Sequence, residues 1–357
     1  MLLVGGIILL YYLPRLHGAW VLGRAPDTSG TSSPVVPITI GMVQSNVDPW
    51  DKWSRSSLQT LRLYDGLTDS LLGARSQCVP ELVLWPETAL PFYALSPANS
   101  LALGEIRRGV EARGIPLLTG TPVAVTYEDS NDAPPSAKRD RRTGQRYDAF
   151  NAAIFIQPGL DTIAWYGKMK MVPLAERVPY ADMFHMLDFL RWGVGIGGWQ
   201  IGRDTTVFLE ERSRARFSTM ICYESTYPDF VAEFVRRGAE FITIITIDSW
   251  WGHMSGAFQH RQIATLRAVE NRRWIARCAV GGISCYIDPW GRAYDETELF
   301  TRGTLCRTIS RETYRTIYTR FGDIIGRVSL WMSLLLVAAA AGQRFLRRRY
   351  DKAWTEQ

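Results

Sequence analysis

The chain has 357 residues, room for one large domain or two ordinary ones. Its 41 basic and 35 acidic residues leave a net charge of +6, much of it in the runs 138–142 and 344–352, with no basic stripe interleaved with aromatics, which excludes nucleic acid as a partner. The five cysteines contain no Cys-x-x-Cys pair and form no metal-type grouping with the four histidines, so no metal or cofactor is expected; the odd count leaves at least one thiol free and a disulfide among the others open.

In chain order, Met1 to Leu13 is apolar apart from two tyrosines, and residues 1–23 read as a short membrane segment. Residues 24–36, rich in Ser, Thr, Gly and Pro, read as a linker. Ile38 to Gln44 is a strand, Leu58 to Leu72 a helix, Leu82 to Trp85 a strand, Leu101 to Ala112 a helix and Ile115 to Thr119 a strand. Asp129 to Gly144 is a solvated loop, and Asn151 to Ile156 with Thr162 to Tyr166 brackets a hairpin. Phe217 to Ile221 and Phe241 to Ile247 are buried strands, each followed by a helix, the second across Phe258 to Asn271. Val280 to Ile287 reads as one strand ended by the turn Asp288-Pro289-Trp290-Gly291, with Cys278 and Cys285 as core residues. This alternation predicts an α/β domain over 37–310. The apolar run Val328 to Ala341 reaches spanning length when begun near Ile324, giving a transmembrane helix over 322–343. The basic tail 344–357 is then cytoplasmic by the positive-inside rule, and the domain lies on the opposite face.

Three of the apolar strands end on chemically capable side chains. Leu82-Val83-Leu84-Trp85-Pro86 leads to Glu87, Tyr166-Gly167 to Lys168, and Phe217 to Ile221 to Cys222 at a strand-to-helix bend. Taken singly these are a turn glutamate, an edge-strand lysine and a buried inert thiol. A carboxylate, an ammonium and a thiol at successive strand ends are harder to dismiss together.

With these residues the chain resembles the carbon–nitrogen hydrolase (nitrilase) superfamily, whose triad is Glu-Lys-Cys in that order, and within it the family of bacterial apolipoprotein N-acyltransferases. The resemblance rests on Trp85-Pro86-Glu87-Thr88-Ala89, on the Tyr166 to Glu176 pattern and on Ile221-Cys222-Tyr223-Glu224. It continues through Trp250-Trp251-Gly252, Gln259-His260, Arg267-Ala268-Val269-Glu270 and Gly282-Ile283-Ser284. Two departures stand out: Ile247-Asp248 where the family has an asparagine, and Pro173-Leu174-Ala175-Glu176 for Pro-Phe-Gly-Glu.

The resemblance implies a nitrilase-type four-layer α-β-β-α sandwich, here with terminal membrane helices. It implies Cys222 as nucleophile, Glu87 as general base and Lys168 as the donor to the developing oxyanion and promoter of the thiolate. Glu176, Tyr223 through its backbone amide, and Glu224 are supporting residues. Trp250, Trp251 and Trp199 are candidates for substrate contact. The stretch from Tyr180 to Trp199 reads either as core packing or as an apolar lid, with Gly193, Gly195, Gly197 and Gly198 as its hinges. The expected reaction carries an acyl chain from a phospholipid through a thioester to the N-terminal amine of a diacylglyceryl-cysteine lipoprotein at the bacterial inner membrane, on its periplasmic face. The alternative is an amidase or nitrilase that gives the same thioester to water. The acyltransferase family carries several helices before this domain where a short apolar stub stands here, so the chain reads as a shortened gene product, half of a split enzyme, or a variant working with a separate membrane subunit.

Overall fold

The computed structural model describes residues 11–355 apart from 14, 22, 24–35, 55, 74–77, 130, 135, 136, 142 and 177–197, with side chains to residue 345. Most of the N-terminal apolar segment, nearly all of the linker, and the apolar stretch 180–199 up to residue 197 lie outside the described residues. Of that N-terminal segment, residues 11–13 and 15–21 are helical and largely exposed.

Two sheets form the centre. The first contains β1 (Pro37–Gln44), β2 (Leu82–Leu84), β3 (Leu117–Thr126), β4 (Lys138–Arg139), β5 (Arg146–Ile156), β6 (Ala164–Gly167) and β13 (Gly303–Ser310). Its strand order is β13-β1-β2-β3-β5-β4, with β6 paired to β5. The second contains β7 (Phe208–Glu210), β8 (Ala215–Ile221), β9 (Phe241–Thr246), β10 (Ile275–Ala279), β11 (Cys285–Ile287) and β12 (Ala293–Tyr294), in the order β12-β11-β10-β9-β8-β7. The strands β1, β2 and β3 run parallel, as do β8, β9 and β10.

The period-two alternation of a strand decides what each face meets. Ile38, Ile40, Met42, Leu82 and Leu84 join one core cluster with Phe217, Phe241 and Ile245 of the second sheet. Val43 and Val83 turn the other way, to a second cluster with Leu61, Tyr64 and Leu71 of α1 (Ser57–Leu72) and Ile106 and Val110 of α2 (Ser100–Arg113). The outer face of the second sheet is covered by Val231, Phe234 and Val235 of α3 (Pro228–Arg236) and Ala264 and Ala268 of α4 (Gly256–Asn271). The layers are therefore α-β-β-α, as the resemblance implied. Tyr286 Oη donates to Ile40 O at 2.6 Å and ties the sheets together.

Local chemistry sets the helix ends. Ser56 and Gln59 form a reciprocal capping box at the start of α1, each side chain accepting from the other's backbone N–H. Pro228 opens α3, where its missing N–H costs nothing.

The single strand expected over Val280 to Ile287 does not form. The chain leaves β10 at Ala279, turns through Gly281 and Gly282, and returns antiparallel as β11. A Cβ on Gly282 would collide with the Asp248 carboxylate, so that turn needs glycine. The strand read as Ile115 to Thr119 reaches Thr126, because β5 pairs with it along the whole of Leu117–Thr126.

Cys78, just before β2, is disulfide-bonded to Cys306 of β13, a separation of 228 residues. Cys222, Cys278 and Cys285 are free and buried.

After the short helix α5 (Ile317–Phe321), Gly322 and Asp323 lead directly into α6 (Ile324–Thr355). Gly322 adopts φ 70° against Asp229, and Asp323 N donates to Asp229 Oδ1 at 3.1 Å. The segment Ile324–Phe345 is long and apolar enough to cross a membrane, and it is the one such helix among the described residues. The helix does not stop before the basic residues; it runs through them to Thr355, arginine and lysine being good helix formers.

Closing so long a loop makes the disulfide a strong constraint on the unfolded chain. Cys306→Ser is expected to lower unfolding free energy by about 2–5 kcal/mol, read as a fall in denaturant midpoint. Reductant should do the same to the wild type and nothing further to the variant.

Candidate active site

Glu87, Lys168 and Cys222 follow the carboxyl ends of β2, β6 and β8, two strands of one sheet and one of the other. The end of the sandwich therefore gathers all three.

The Glu87 segment is anchored first. Trp85 is buried, stacks on Tyr64 with ring centroids 5.0 Å apart and donates Nε1 to Thr68 Oγ1 at 3.0 Å. Gly120 of β3 then lets the next residues approach: a Cβ there would lie 2.7 Å from Glu87 Cα. Glu87 itself is 4% exposed.

Lys168 is wholly buried, with Nζ 2.7 Å from Glu176 Oε1 and 3.4 Å from Glu87 Oε1. Burial alone would lower its pKa; the carboxylates of Glu176 and Glu87 prevail and hold it well above the usual lysine range. The ammonium is therefore permanent. Glu176 turns its other oxygen to Val172 N at 2.8 Å, closing the loop after β6 on itself. Asn151 of β5 donates Nδ2 to Glu87 Oε1 at 2.7 Å and to Glu176 Oε1 at 3.4 Å, while its backbone carbonyl accepts from Lys168 N at 2.8 Å. Two carboxylates, one ammonium and one amide thus make a closed, buried network.

Cys222 has φ 52°, in the left-handed region that a non-glycine residue adopts only when its surroundings compel it. That sharp bend ends β8 and begins the 3₁₀ turn Cys222–Thr226. Burial, then the negative charge of Glu87, pushes its thiol up to about 12, outweighing the pull of Lys168 and a bond to Thr246. The thiolate expected beside an ammonium is thus not the resting form, because Lys168 is already matched by two carboxylates. Such a thiol reacts with help from a base.

Glu224 has a different task. It is fully buried and accepts four hydrogen bonds: from Tyr166 Oη at 2.7 Å, Met169 N at 2.6 Å, Lys170 N at 3.2 Å and Ile221 N at 2.8 Å. It clips the end of β6, which carries Lys168, to the end of β8, which carries Cys222. Burial pushes its carboxyl up to about 7 against those bonds. Tyr223 is partly buried and meets Tyr227 edge-on, with centroids 5.4 Å apart.

The three candidate tryptophans differ in their surroundings. Trp250 is half-buried and T-shaped against exposed Trp50 at 5.1 Å. Trp251 meets the His260 ring edge-on at 5.5 Å, and Trp199 is buried with the Lys138 ammonium 5.1 Å above it.

Sequence reading did not single out Asn151, although a lone amide inside the apolar run 149–156 was a signal. It also missed Lys52, which lies in the polar, aromatic stretch 48–53 with nothing to mark it. Lys52 is buried and donates to Thr88 Oγ1, one residue after Glu87. Burial lowers its pKa to about 8, opposed by Glu87 and Cys222, so a second amine faces the triad.

A buried Glu-Lys-Cys set at the ends of a double-sheet sandwich defines a carbon–nitrogen hydrolase type of site, and the carbon–nitrogen hydrolase family model matches residues 39–319. The chain belongs to that family. Among proteins it is similar to is an apolipoprotein N-acyltransferase of Chlorobaculum tepidum, 38% identical over 85% of this chain and 57% of that protein. Another, from Azotobacter vinelandii, is 31% identical over 95% of this chain and 61% of that protein. The chain thus spans somewhat over half the length of these relatives. Solved structures of similar fold include an amidase from Nesterenkonia sp. AN1, with TM-score 0.54 and 16% identity over 79% of this chain and 94% of that one. Nit3 of Saccharomyces cerevisiae gives TM-score 0.54 and 15% identity over 79% and 93%.

Two substitutions test the network. Lys168→Met leaves Glu87 and Glu176 buried without their cation and is expected to cost about 3–5 kcal/mol, read by thermal unfolding. Glu224→Gln sets an amide N–H against a backbone donor and is expected to cost about 1–3 kcal/mol by the same measurement.

Proposed function

We propose that the protein is an acyltransferase that carries an acyl chain from a phospholipid to the N-terminal amine of a diacylglyceryl-cysteine lipoprotein. The observation that carries this reading is the buried set of Glu87, Lys168 and Cys222 in a chain similar to apolipoprotein N-acyltransferases and bearing a membrane-length apolar helix.

Glu87 takes the thiol proton of Cys222 as Sγ attacks the ester carbonyl. The negative charge gathers on the carbonyl oxygen, where the Lys168 ammonium and the Tyr223 backbone N–H receive it. Collapse expels the lysophospholipid alkoxide, which takes the proton from Glu87, and the acyl group stays on Cys222 as a thioester. The acceptor amine, neutral when it attacks, gives a proton to Glu87 and forms an amide; the leaving thiolate recovers that proton. Glu176 and Asn151 keep Glu87 and Lys168 in register through both halves. The high thiol pKa suits this cycle, because a protonated resting cysteine resists adventitious oxidation.

Placement at the bacterial inner membrane with the domain on the periplasmic face is supported by two features. The apolar helix continues into Arg344, Arg347, Arg348 and Arg349, the pattern of a cytoplasmic end. The Cys78–Cys306 disulfide suits an oxidising compartment. Trp250, Trp251 and Trp199 are proposed to flank the lipid, and a further membrane subunit to complete its path.

The test is incubation of membranes containing the protein with phosphatidylethanolamine labelled in its acyl chains. A hydroxylamine-sensitive label on the wild type, missing from Cys222→Ala and reduced at least about 1000-fold in rate in Glu87→Gln, is the expected result. Label that persists in Cys222→Ala overturns the acyl-enzyme. Rapid hydrolysis of simple amides with no lipid labelling would favour an amidase instead.

A further inference from the structure

A second buried cluster lies behind the nucleophile, on the side away from Glu87 and Lys168. His260 of α4 is 3% exposed, and its Nε2 is 3.0 Å from Cys222 O and 2.8 Å from Ser225 Oγ. Ser225 Oγ also donates to Cys222 O, at 2.9 Å. On the other side of the ring, Nδ1 is 3.0 Å from Asp248 Oδ1 and 3.0 Å from Arg277 Nη2. Asp248 and Arg277 are themselves buried and paired at 2.8 Å, and Arg277 Nη1 donates to Ile283 O at 2.5 Å. Thr246 Oγ1, beside the thiol, donates to Asp248 Oδ1 at 3.1 Å.

A carbonyl oxygen can be met only by a donor, so Nε2 carries a proton toward Cys222 O. That carbonyl belongs to the peptide whose other end is the Tyr223 N–H. In a trans peptide the two point in opposite directions. Fixing the carbonyl toward α4 therefore aims the N–H away from it, into the site. Hydrogen bonds to the carbonyl also polarise the amide and strengthen its N–H as a donor.

We infer that His260, held by Asp248 and Arg277, is a positioning residue that aims and polarises the Tyr223 N–H as an oxyanion donor. This rests on the thioester reading above. It also accounts for the burial of an otherwise costly Arg–Asp–His set against the strained Cys222 backbone. His260 does not touch the acyl group, so its effect falls on the rate of acylation and leaves lipid binding alone.

The experiment compares His260→Phe, His260→Gln and His260→Asn with the wild type, following the rate and lipid dependence of Cys222 labelling by labelled phosphatidylethanolamine. Gln places an N–H near the position of Nε2; Asn reaches only as far as Nδ1. Phe and Asn are expected to label about 100-fold more slowly at saturating lipid, with the half-saturating lipid concentration within about twofold of wild type. Gln is expected to stay within about fivefold. Should Phe fold poorly, the contrast between Gln and Asn decides. Wild-type rates in all three, or equal losses in Gln and Asn with intact unfolding transitions, overturn the inference. If lipid fails to label the wild type, the acyltransferase reading is what falls, and the same three variants are compared with p-nitrophenyl acetate, an activated ester that needs only the nucleophile and its oxyanion donors.

Discussion

An ammonium sealed between two carboxylates is the interaction on which this molecule turns. Lys168 is entirely without solvent, and each of its partners comes from a separate part of the chain: Glu87 after β2, Glu176 from the loop that follows Lys168 itself. An isolated charge of that kind could not stay buried. The cation therefore requires both loops to close on it, and the loops require the two sheets to end where they do. The same balance reaches Cys222. Burial and the charge of Glu87 outweigh the pull of Lys168, which is already matched by two carboxylates, so Cys222 is not held as a thiolate and the thiol keeps its proton.

The elbow at Cys222 is the second constraint. Its left-handed backbone is maintained from three directions: Glu224 accepts from Ile221 N ahead of it, Ser225 and His260 take its carbonyl, and β9 runs parallel to β8 beneath it. Glu224 also gathers Tyr166, Met169 and Lys170, so the lysine strand and the cysteine strand are tied together at their ends. Asp248, which stands in the segment where the chain departs from its family pattern, pairs with Arg277 and His260, and its carboxyl is lowered to about 2: burial raises it, but the guanidinium and the imidazole overcome that.

Much of this was legible in residue order alone. Apolar runs leading to Glu87, Lys168 and Cys222 marked the strands and the points where these side chains leave the core, since a buried strand can only present such groups there. Helix limits for α1, α2 and α4 were within about two residues for the same reason of periodicity. The failures had particular causes. Val280 to Ile287 is apolar throughout, and nothing in its hydropathy shows that Asp248 needs the space a side chain at Gly282 would take. Asn151, Lys52 and the Asp248–His260–Arg277 set matter through contacts across 12 to 81 positions of sequence, as Lys168 and Glu87 do, and those contacts exist only after folding. The pairing of Cys78 with Cys306 is of the same kind.

The junction between the domain and its last helix has a mechanical side. Only Gly322 and Asp323 separate α5 from α6, and Asp229 of α3 grips that junction through the Asp323 amide. With α6 embedded in a bilayer, so short a tether works as a bracket and not as a leash. It sets the altitude of the Glu87–Lys168–Cys222 cluster over the bilayer surface and denies the domain free rotation. On the acyltransferase reading proposed above, donor chains would then have to reach a fixed height, and lengthening the bracket by even a few flexible residues would change how often they arrive.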